Sequence, residues 1–180
     1  LHAGKVRANI TLALAISAQA INQTRTLAKK TPVTENPAFT AQDLQGLRDV
    51  MDYATQDYKT ERQHYVSGIN CNAKRAYERM TATKKRFGKT GGNVAYHGYQ
   101  SFQTGEVTPE EAHKIGLETA RRMWGKEYEI VVTTHLNTDN LHNHFVINSV
   151  SFKTGRKFEN HISDHHRLRE ISDAVCLEYG

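Results

Sequence analysis

The chain has 180 residues and carries 24 lysine and arginine residues against 19 aspartate and glutamate residues, so its net charge is +5. Mean hydropathy is −0.66, and no apolar run approaches the roughly 18 residues of a membrane helix, which excludes a membrane-spanning protein. Hydrophobic residues make up 38% of the chain, enough for a core, which excludes global disorder, and two cysteines are too few for a disulfide scaffold.

The first 40 residues are predicted to contain one strand and then an insertion or linker. The apolar run at residues 10–16 supplies the strand, and Pro32 and Pro37 lie among polar residues typical of a loop. We expect residues 41–180 to form the principal domain. Because no initiator methionine is present, we expect the chain to be a piece of a longer protein.

A helix is predicted to begin at Thr40, which has the spacing of a capping box with Asp43. Its apolar residues recur at helical intervals from Leu44 to Tyr58 and form one buried stripe. At 100° per residue, Tyr58 lies on this stripe and Tyr53 points well away from it. The pattern therefore favours core packing for Tyr58 and leaves Tyr53 available for chemistry.

A strongly basic segment covers residues 72–92 and accounts for the whole positive balance of the chain. Cations concentrated in this way fit a nucleic-acid backbone as partner, although a charge run on its own is more often a solvated helix face. The segment contains only one acidic residue, Glu78, and its basic residues are Lys74, Arg75, Arg79, Lys84, Lys85, Arg86 and Lys89.

The remaining sequence alternates between strand and helix patterns. Thr108, Pro109 and Glu111 are the clearest helix start in the chain, with an N-cap, a proline at the first position and a closing glutamate. Ser163 or Asp164 is expected to cap the last helix. Strands are predicted at residues 66–71, 94–102, 128–134 and 142–152.

Three histidines are predicted to converge across a hairpin. His142 and His144 alternate along one strand and share a face. If residues 136–141 close the hairpin, His135 lies opposite His142 with its side chain on that same face. Imidazole is the commonest protein ligand for divalent transition metals, and three ligands leave open positions. The pattern predicts a catalytic metal site, with Asn137 and Asp139 orienting the ligands from outside.

These residues resemble the third motif of conjugative relaxases, the MobA/MobL-like mobilisation nucleases of the HUH endonuclease superfamily. Residues 52–61, followed by 66–71, resemble the first motif, which carries the nucleophilic tyrosine and matches Tyr53 here. Residues 99–102 and 105–112 resemble the second motif, in which Ser101 would hold DNA near the cut. The three motifs occur in the family's order between residues 41 and 180.

The resemblance implies an α+β fold, with an antiparallel sheet of about five strands and helices mainly on one side. It implies a strand-specific nickase that attacks DNA through Tyr53, leaves a 5′-phosphotyrosyl link and a free 3′-OH, and uses a divalent ion such as Mg²⁺ or Mn²⁺. It also implies a cytoplasmic bacterial protein that acts on single-stranded or supercoiled DNA at an origin of transfer. Accessory relaxosome proteins and a type IV secretion coupling protein are the implied partners.

Other interpretations remain open at this point. A rolling-circle replication initiator would share the metal and the tyrosine chemistry, and a non-catalytic DNA-binding module would bind DNA without nicking. A cupin-like metal enzyme needs a glutamate shortly after the second histidine, where residues 147–150 have none. Tyr65, Tyr96 and Tyr99 are alternative nucleophiles, and the last two could instead stack on bases.

Overall fold

The computed structural model describes residues 9–16 (backbone only), 47–48, 51–52, 65–136 and 140–179. Five strands form one antiparallel sheet in the spatial order β1-β3-β5-β4-β2. They are β1 (Asn9–Ile16), β2 (Val66–Ile69), β3 (Ala95–Ser101), β4 (Ile130–His135) and β5 (His142–Asn148). Three helices flank the sheet, α1 (Ala76–Arg86), α2 (Pro109–Trp124) and α3 (Ile162–Tyr179). The α+β architecture expected from the sequence is confirmed.

Local sequence rules explain where the two long helices begin. The Thr108 hydroxyl accepts from the backbone N–H of Glu111, whose carboxylate accepts from the N–H of Thr108, so the predicted capping box of α2 is present. At α3, the Asp164 carboxylate accepts from the N–H of His161. That bond moves the start of the helix to Ile162, earlier than the predicted cap at Ser163 or Asp164.

The two long helices cover one side of the sheet, which we call the back face. Strand alternation turns Val132, Phe145 and Ile147 toward this side, where they pack against Trp124 and Leu168 in a buried cluster. Burial of large apolar side chains at this interface is the main source of its stability.

The opposite side carries His135, His142 and His144, and we call it the histidine face. It is covered in part by α1, because Met80 packs against Val131 of the sheet. Leu47 and Met51, which lie in the helical residues 47–48 and 51–52, belong to the same cluster, which agrees with the stripe predicted from the sequence. The two long helices therefore lie on one side of the sheet, as expected, and α1 is the exception, since its apolar stripe packs on the opposite face.

Two further findings concern the cysteines and the apolar character of the helices. Cys71 and Cys176 are both thiols, and burial raises the pKa of the Cys71 thiol to about 11. Within the described part of the chain, none of the helices has the length and apolar character needed to cross a membrane.

Candidate metal centre

The hairpin of β4 and β5 brings the three predicted histidines to one place. Its register pairs His135 with His142, as the sequence predicted, and His144 lies two residues along on the same face. The ring centroids of His135 and His144 are 4.1 Å apart, and those of His142 and His144 are 5.0 Å apart. One ring nitrogen from each residue lies within 4.8 Å of the other two.

This set of donors fits a divalent cation. The three imidazoles offer neutral nitrogen ligands, and His135 and His144 are buried while His142 is half-buried. Three nitrogens on one side leave further coordination positions for water or a substrate oxygen, which is the pattern of catalytic sites. Among the described residues, these histidines are the group with metal-ligand spacing.

A neighbouring loop fixes the orientation of His142. Its Nδ1 lies 3.1 Å from the backbone carbonyl of Asn140. A carbonyl only accepts, so Nδ1 carries the proton and Nε2 is left with the lone pair for a cation. The Thr104 hydroxyl donates to the Asn140 side chain at 2.9 Å, and Phe102 donates its N–H to the Leu141 carbonyl. The loop after β3 therefore supports the loop of the hairpin.

A fourth histidine, His97, joins the cluster from β3 and was not among the predicted site residues. The Nε2 atom of His97 lies 2.6 Å from Nδ1 of His144, and the two rings are stacked with centroids 4.9 Å apart. Burial lowers the pKa of His97, which favours the neutral ring. His97 therefore orients His144, since a ring held at Nδ1 directs Nε2 to the other side.

Ser101 and Tyr99 lie beside the cluster on the same face. The register of β3 and β5 pairs Ser101 with His142 and Tyr99 with His144. Ser101 is half-buried, and Tyr99 is 39% exposed. Tyr96 points to the back face, where its ring packs on Phe158 and its hydroxyl donates to the Phe158 carbonyl, so it is a core residue and not a base-stacking platform.

A buried hydrogen-bond network lies directly behind the site, on the back face. Thr134 donates to Asn143 Oδ1 at 2.6 Å, and Asn143 Nδ2 donates to Gln100 Oε1 at 3.0 Å. His113 of α2 contacts the hydroxyls of Thr134 and Ser67 at 2.8 Å each. The network joins β2, β4, β5, β3 and α2 next to the residues that carry the ligands.

Some predicted site residues fall outside the described part of the chain. These are Tyr53, Asn137 and Asp139. Asp52, which directly precedes Tyr53, is helical and exposed, and Met51 is buried.

The basic segment divides into exposed and buried members. Lys84 does not fit the sequence-based assignment to a DNA contact, because it is 1% exposed and its ammonium donates to the Asn148 side chain. Burial lowers the pKa of Lys84 to about 7, although nearby Glu129 acts in the opposite direction. The other six basic residues are exposed: Lys74, Arg75, Arg79, Lys85, Arg86 and Lys89.

Comparison with known proteins identifies the family. The chain is 37% identical over 124 residues to the protein Rlx of Staphylococcus aureus, which covers 69% of this chain and 37% of that protein. It is 30% identical over 150 residues to the group II intron-interrupted relaxase LtrB of Lactococcus lactis, covering 75% of this chain and 27% of LtrB. It is 28% identical over 148 residues to the protein TraI of Escherichia coli, covering 77% of this chain and 19% of TraI.

The chain therefore spans about a third of the curated relatives with the highest identity reported above. No solved structure gives a significant match. The single helix-flanked sheet also disagrees with the double-sheeted barrel of a cupin. Residues 53–180 match the nuclease-domain family of MobA/VirD2-like relaxases, and the chain belongs to that family.

Proposed function

We propose that this chain nicks one DNA strand at an origin of transfer and remains covalently attached to it. The observation that carries the proposal is the convergence of His135, His142 and His144 beside Ser101, in a chain of the MobA/VirD2-like relaxase family. The three imidazoles would hold Mg²⁺ or Mn²⁺. Such an ion, when bound, supplies positive charge at a non-bridging oxygen of the scissile phosphate.

The nucleophile in this proposal is Tyr53, supported by its motif position and by its place off the apolar stripe. Its Oη attacks the scissile phosphorus, the bond from phosphorus to the 3′ oxygen breaks, and the phenol proton leaves to solvent or a base while the 3′ oxygen takes up a proton. The products are a 5′-phosphotyrosyl ester and a free 3′-OH. Because the ester keeps the energy of the phosphodiester, the reverse reaction rejoins the strand.

Neighbouring side chains have separate tasks in binding the strand. Ser101 is paired with His142, so its hydroxyl would donate to a phosphate next to the cut. The exposed ring of Tyr99 offers a surface on which an unpaired base can stack. Asn137 and Asp139, in the loop between the ligands, would orient the imidazoles.

The six exposed basic residues near α1 would neutralise backbone phosphates, and Lys84 has no place in that set because it is buried. The substrate is single-stranded DNA extruded from a supercoiled origin. We extend the proposal to a cytoplasmic site of action and to relaxosome proteins and a secretion coupling protein as partners, on the basis of family membership.

A nicking assay tests this function. Purified protein and Mg²⁺ or Mn²⁺ should relax a supercoiled plasmid carrying the cognate origin of transfer, and a covalent protein–DNA adduct should appear on a denaturing gel. Tyr53→Phe should abolish the adduct and leave DNA binding intact, whereas the matched control Tyr58→Phe should retain the adduct if the protein folds normally. An adduct formed by Tyr53→Phe would show that another residue is the nucleophile.

The metal is tested in the same assay. His142→Ala and chelation with EDTA should each abolish nicking, whereas substitution of an exposed histidine, His166→Ala, should not. Undiminished nicking by His142→Ala in the presence of EDTA would exclude a role for the metal centre.

A further inference from the structure

The end of the sheet remote from the histidines carries a second concentration of cations. The C-terminal end of α1 contributes Arg86 and Lys89, and the loop after β5 contributes Lys153, Arg156 and Lys157. We call these five residues the distal basic surface, and all five are exposed. Part of it lines an open hollow of about 760 Å³.

Contacts between the two segments show that this surface is built by tertiary packing. Gly155 has a φ of 70°, and the Phe87 ring lies so close that an added Cβ would be 2.4 Å from it. Lys157 donates to the backbone carbonyl of Gly91 at 2.6 Å. The loop after β5 is therefore attached to the end of α1, and cations that are far apart in sequence are held on one surface.

The charge of the surface favours a polyanion. Three of the cations, Lys89, Arg156 and Lys157, line the hollow together with the carboxylates Glu127 and Glu159. Arg86 and Lys153 add two further exposed cations outside its lining, so the surface keeps a positive balance. Arg86 and Lys153 lie over the rings of Phe87 and Phe152, with the charged group 5.2 and 6.0 Å from the ring centroid. Side chains packed on a ring lose less conformational freedom when they bind a phosphate.

The position of the distal basic surface suits a DNA strand that extends beyond the scissile phosphate. β5 runs from His142 to Asn148, which corresponds to roughly 20 Å at about 3.3 Å per residue. In a duplex, which rises about 3.4 Å per nucleotide of one strand, this length corresponds to about six nucleotides, and an extended single strand spans it with fewer. Exposed Lys74 and Arg75 precede α1, and Arg86 and Lys89 occur at and after its last turn, so the helix connects two cationic regions.

We propose that the distal basic surface binds the phosphate backbone of the DNA substrate at a site separated from the scissile phosphate by roughly the 20 Å length of β5. This inference rests on the proposed nicking function, which it deepens by naming a second contact region. Its loop, residues 153–157, was not among the DNA contacts predicted from sequence. Contact with the backbone supplies affinity and orientation but no sequence preference.

Fluorescence anisotropy with a random-sequence single-stranded oligonucleotide of about 30 nucleotides, longer than one such contact region, tests the inference. The double variant Lys153→Gln, Arg156→Gln should lower affinity about three- to tenfold and reduce the slope of log K against log salt by about 1.4. The control Arg167→Gln, Arg169→Gln removes the same charge from exposed positions of α3 and should bind like the wild type.

Origin nicking by the same variants separates this inference from the proposed function. The Lys153, Arg156 variant should need about three- to tenfold more protein for half-maximal nicking of the origin. Its nicking rate at saturating protein should be unchanged, with thermal unfolding like that of the control. Nicking by the wild type together with unchanged DNA affinity and salt slope in the variant would overturn the distal surface and leave the nickase standing. Loss of salt-dependent affinity in the variant, in a protein that never nicks, would support the surface and refute the nickase.

Discussion

The two faces of strands β3, β4 and β5 use polar side chains in opposite ways. On the back face, Thr134, Asn143 and Gln100 bond to one another and to side chains of the helices. On the histidine face, the neighbours of these residues in sequence direct ring nitrogens toward one point. These three back-face side chains satisfy their polar groups within the protein, whereas the histidine face can direct its ring nitrogens to a ligand. The comparison indicates that hydrogen bonds among side chains of the back face can hold the strands in the register that brings the histidines together on the other face.

The largest expected difference is between substitutions of two histidines, His144 on the histidine face and His113, which packs on the back face. His144→Ala should lower the affinity for Mn²⁺ by more than about 100-fold, because it removes a ligand. His113→Ala should leave that affinity within about threefold but lower the free energy of unfolding by about 2 kcal/mol, because Thr134 and Ser67 lose a buried partner. Isothermal titration calorimetry and urea unfolding of both variants measure the two quantities. Equal metal affinities for the two variants would contradict the separation of the faces.

The back face should tolerate very little additional volume. A Cβ added at Gly116 would lie 2.4 Å from the side-chain amide of Asn143, which is held by bonds to Gln100 and to the Ala112 carbonyl. Gly116→Ala should therefore lower the free energy of unfolding by about 2 kcal/mol, as measured with urea.

Gly91→Ala is the matched control for this substitution, because nothing lies within 4 Å of the added carbon. It should change stability by less than about 0.5 kcal/mol. A neutral Gly116→Ala would show that Asn143 can move without cost, and that the network does not hold the strands.

The buried ammonium of Lys84, at the end of the histidine face away from His142, should make the free energy of unfolding depend on pH. Burial lowers the pKa of Lys84 to about 7, whereas an unfolded lysine keeps its ordinary pKa near 10.5. Between these values the unfolded chain binds more protons, so the contribution of Lys84 to stability becomes more favourable as pH rises. From pH 7 to pH 9 the wild type should gain about 2 kcal/mol of unfolding free energy relative to Lys84→Met.

Urea unfolding at the two pH values measures this difference. The acidic and basic groups around Lys84, among them Glu129 and Arg79, are common to both proteins, so their own titration cancels to first order. Parallel pH profiles for the two proteins would mean that Lys84 keeps an ordinary pKa.

The smallest effect is expected at His97, which touches a proposed ligand without being one. His97→Phe keeps a ring of similar shape but removes the contact with His144 Nδ1, so Mn²⁺ affinity should fall about tenfold. His161→Phe, at an exposed position, should have no effect. An unchanged affinity in His97→Phe would show that the hairpin alone orients His144.

Sequence patterns predicted what depends on local order. The alternation of His142 and His144 and the capping box at Thr108 both involve neighbours in sequence, and the structure agrees with each. The contact of His97 with His144 depends on the pairing of β3 with β5, strands that are separated by a helix and another strand. A sequence pattern carries no information about that register.

Lys84 shows a second limit. The other basic residues of the segment are exposed, and charge composition alone does not reveal that Lys84 lies on the side of α1 that faces the sheet. The helical periodicity of Met80 and Lys84, four residues apart, was the available indication that both lie on the buried side. The position of α1 on the face opposite the two long helices follows from the same apolar stripe.

The proposed ligands all belong to a single hairpin, and this has a consequence for folding. An ion bound to His135, His142 and His144 would bridge a very short loop, so it would restrict the unfolded chain only slightly. No distant segments would depend on it for their association. Removal of the ion should therefore abolish the proposed nicking activity while the circular dichroism spectrum and cooperative unfolding persist. One cation could then be exchanged for another in the native state.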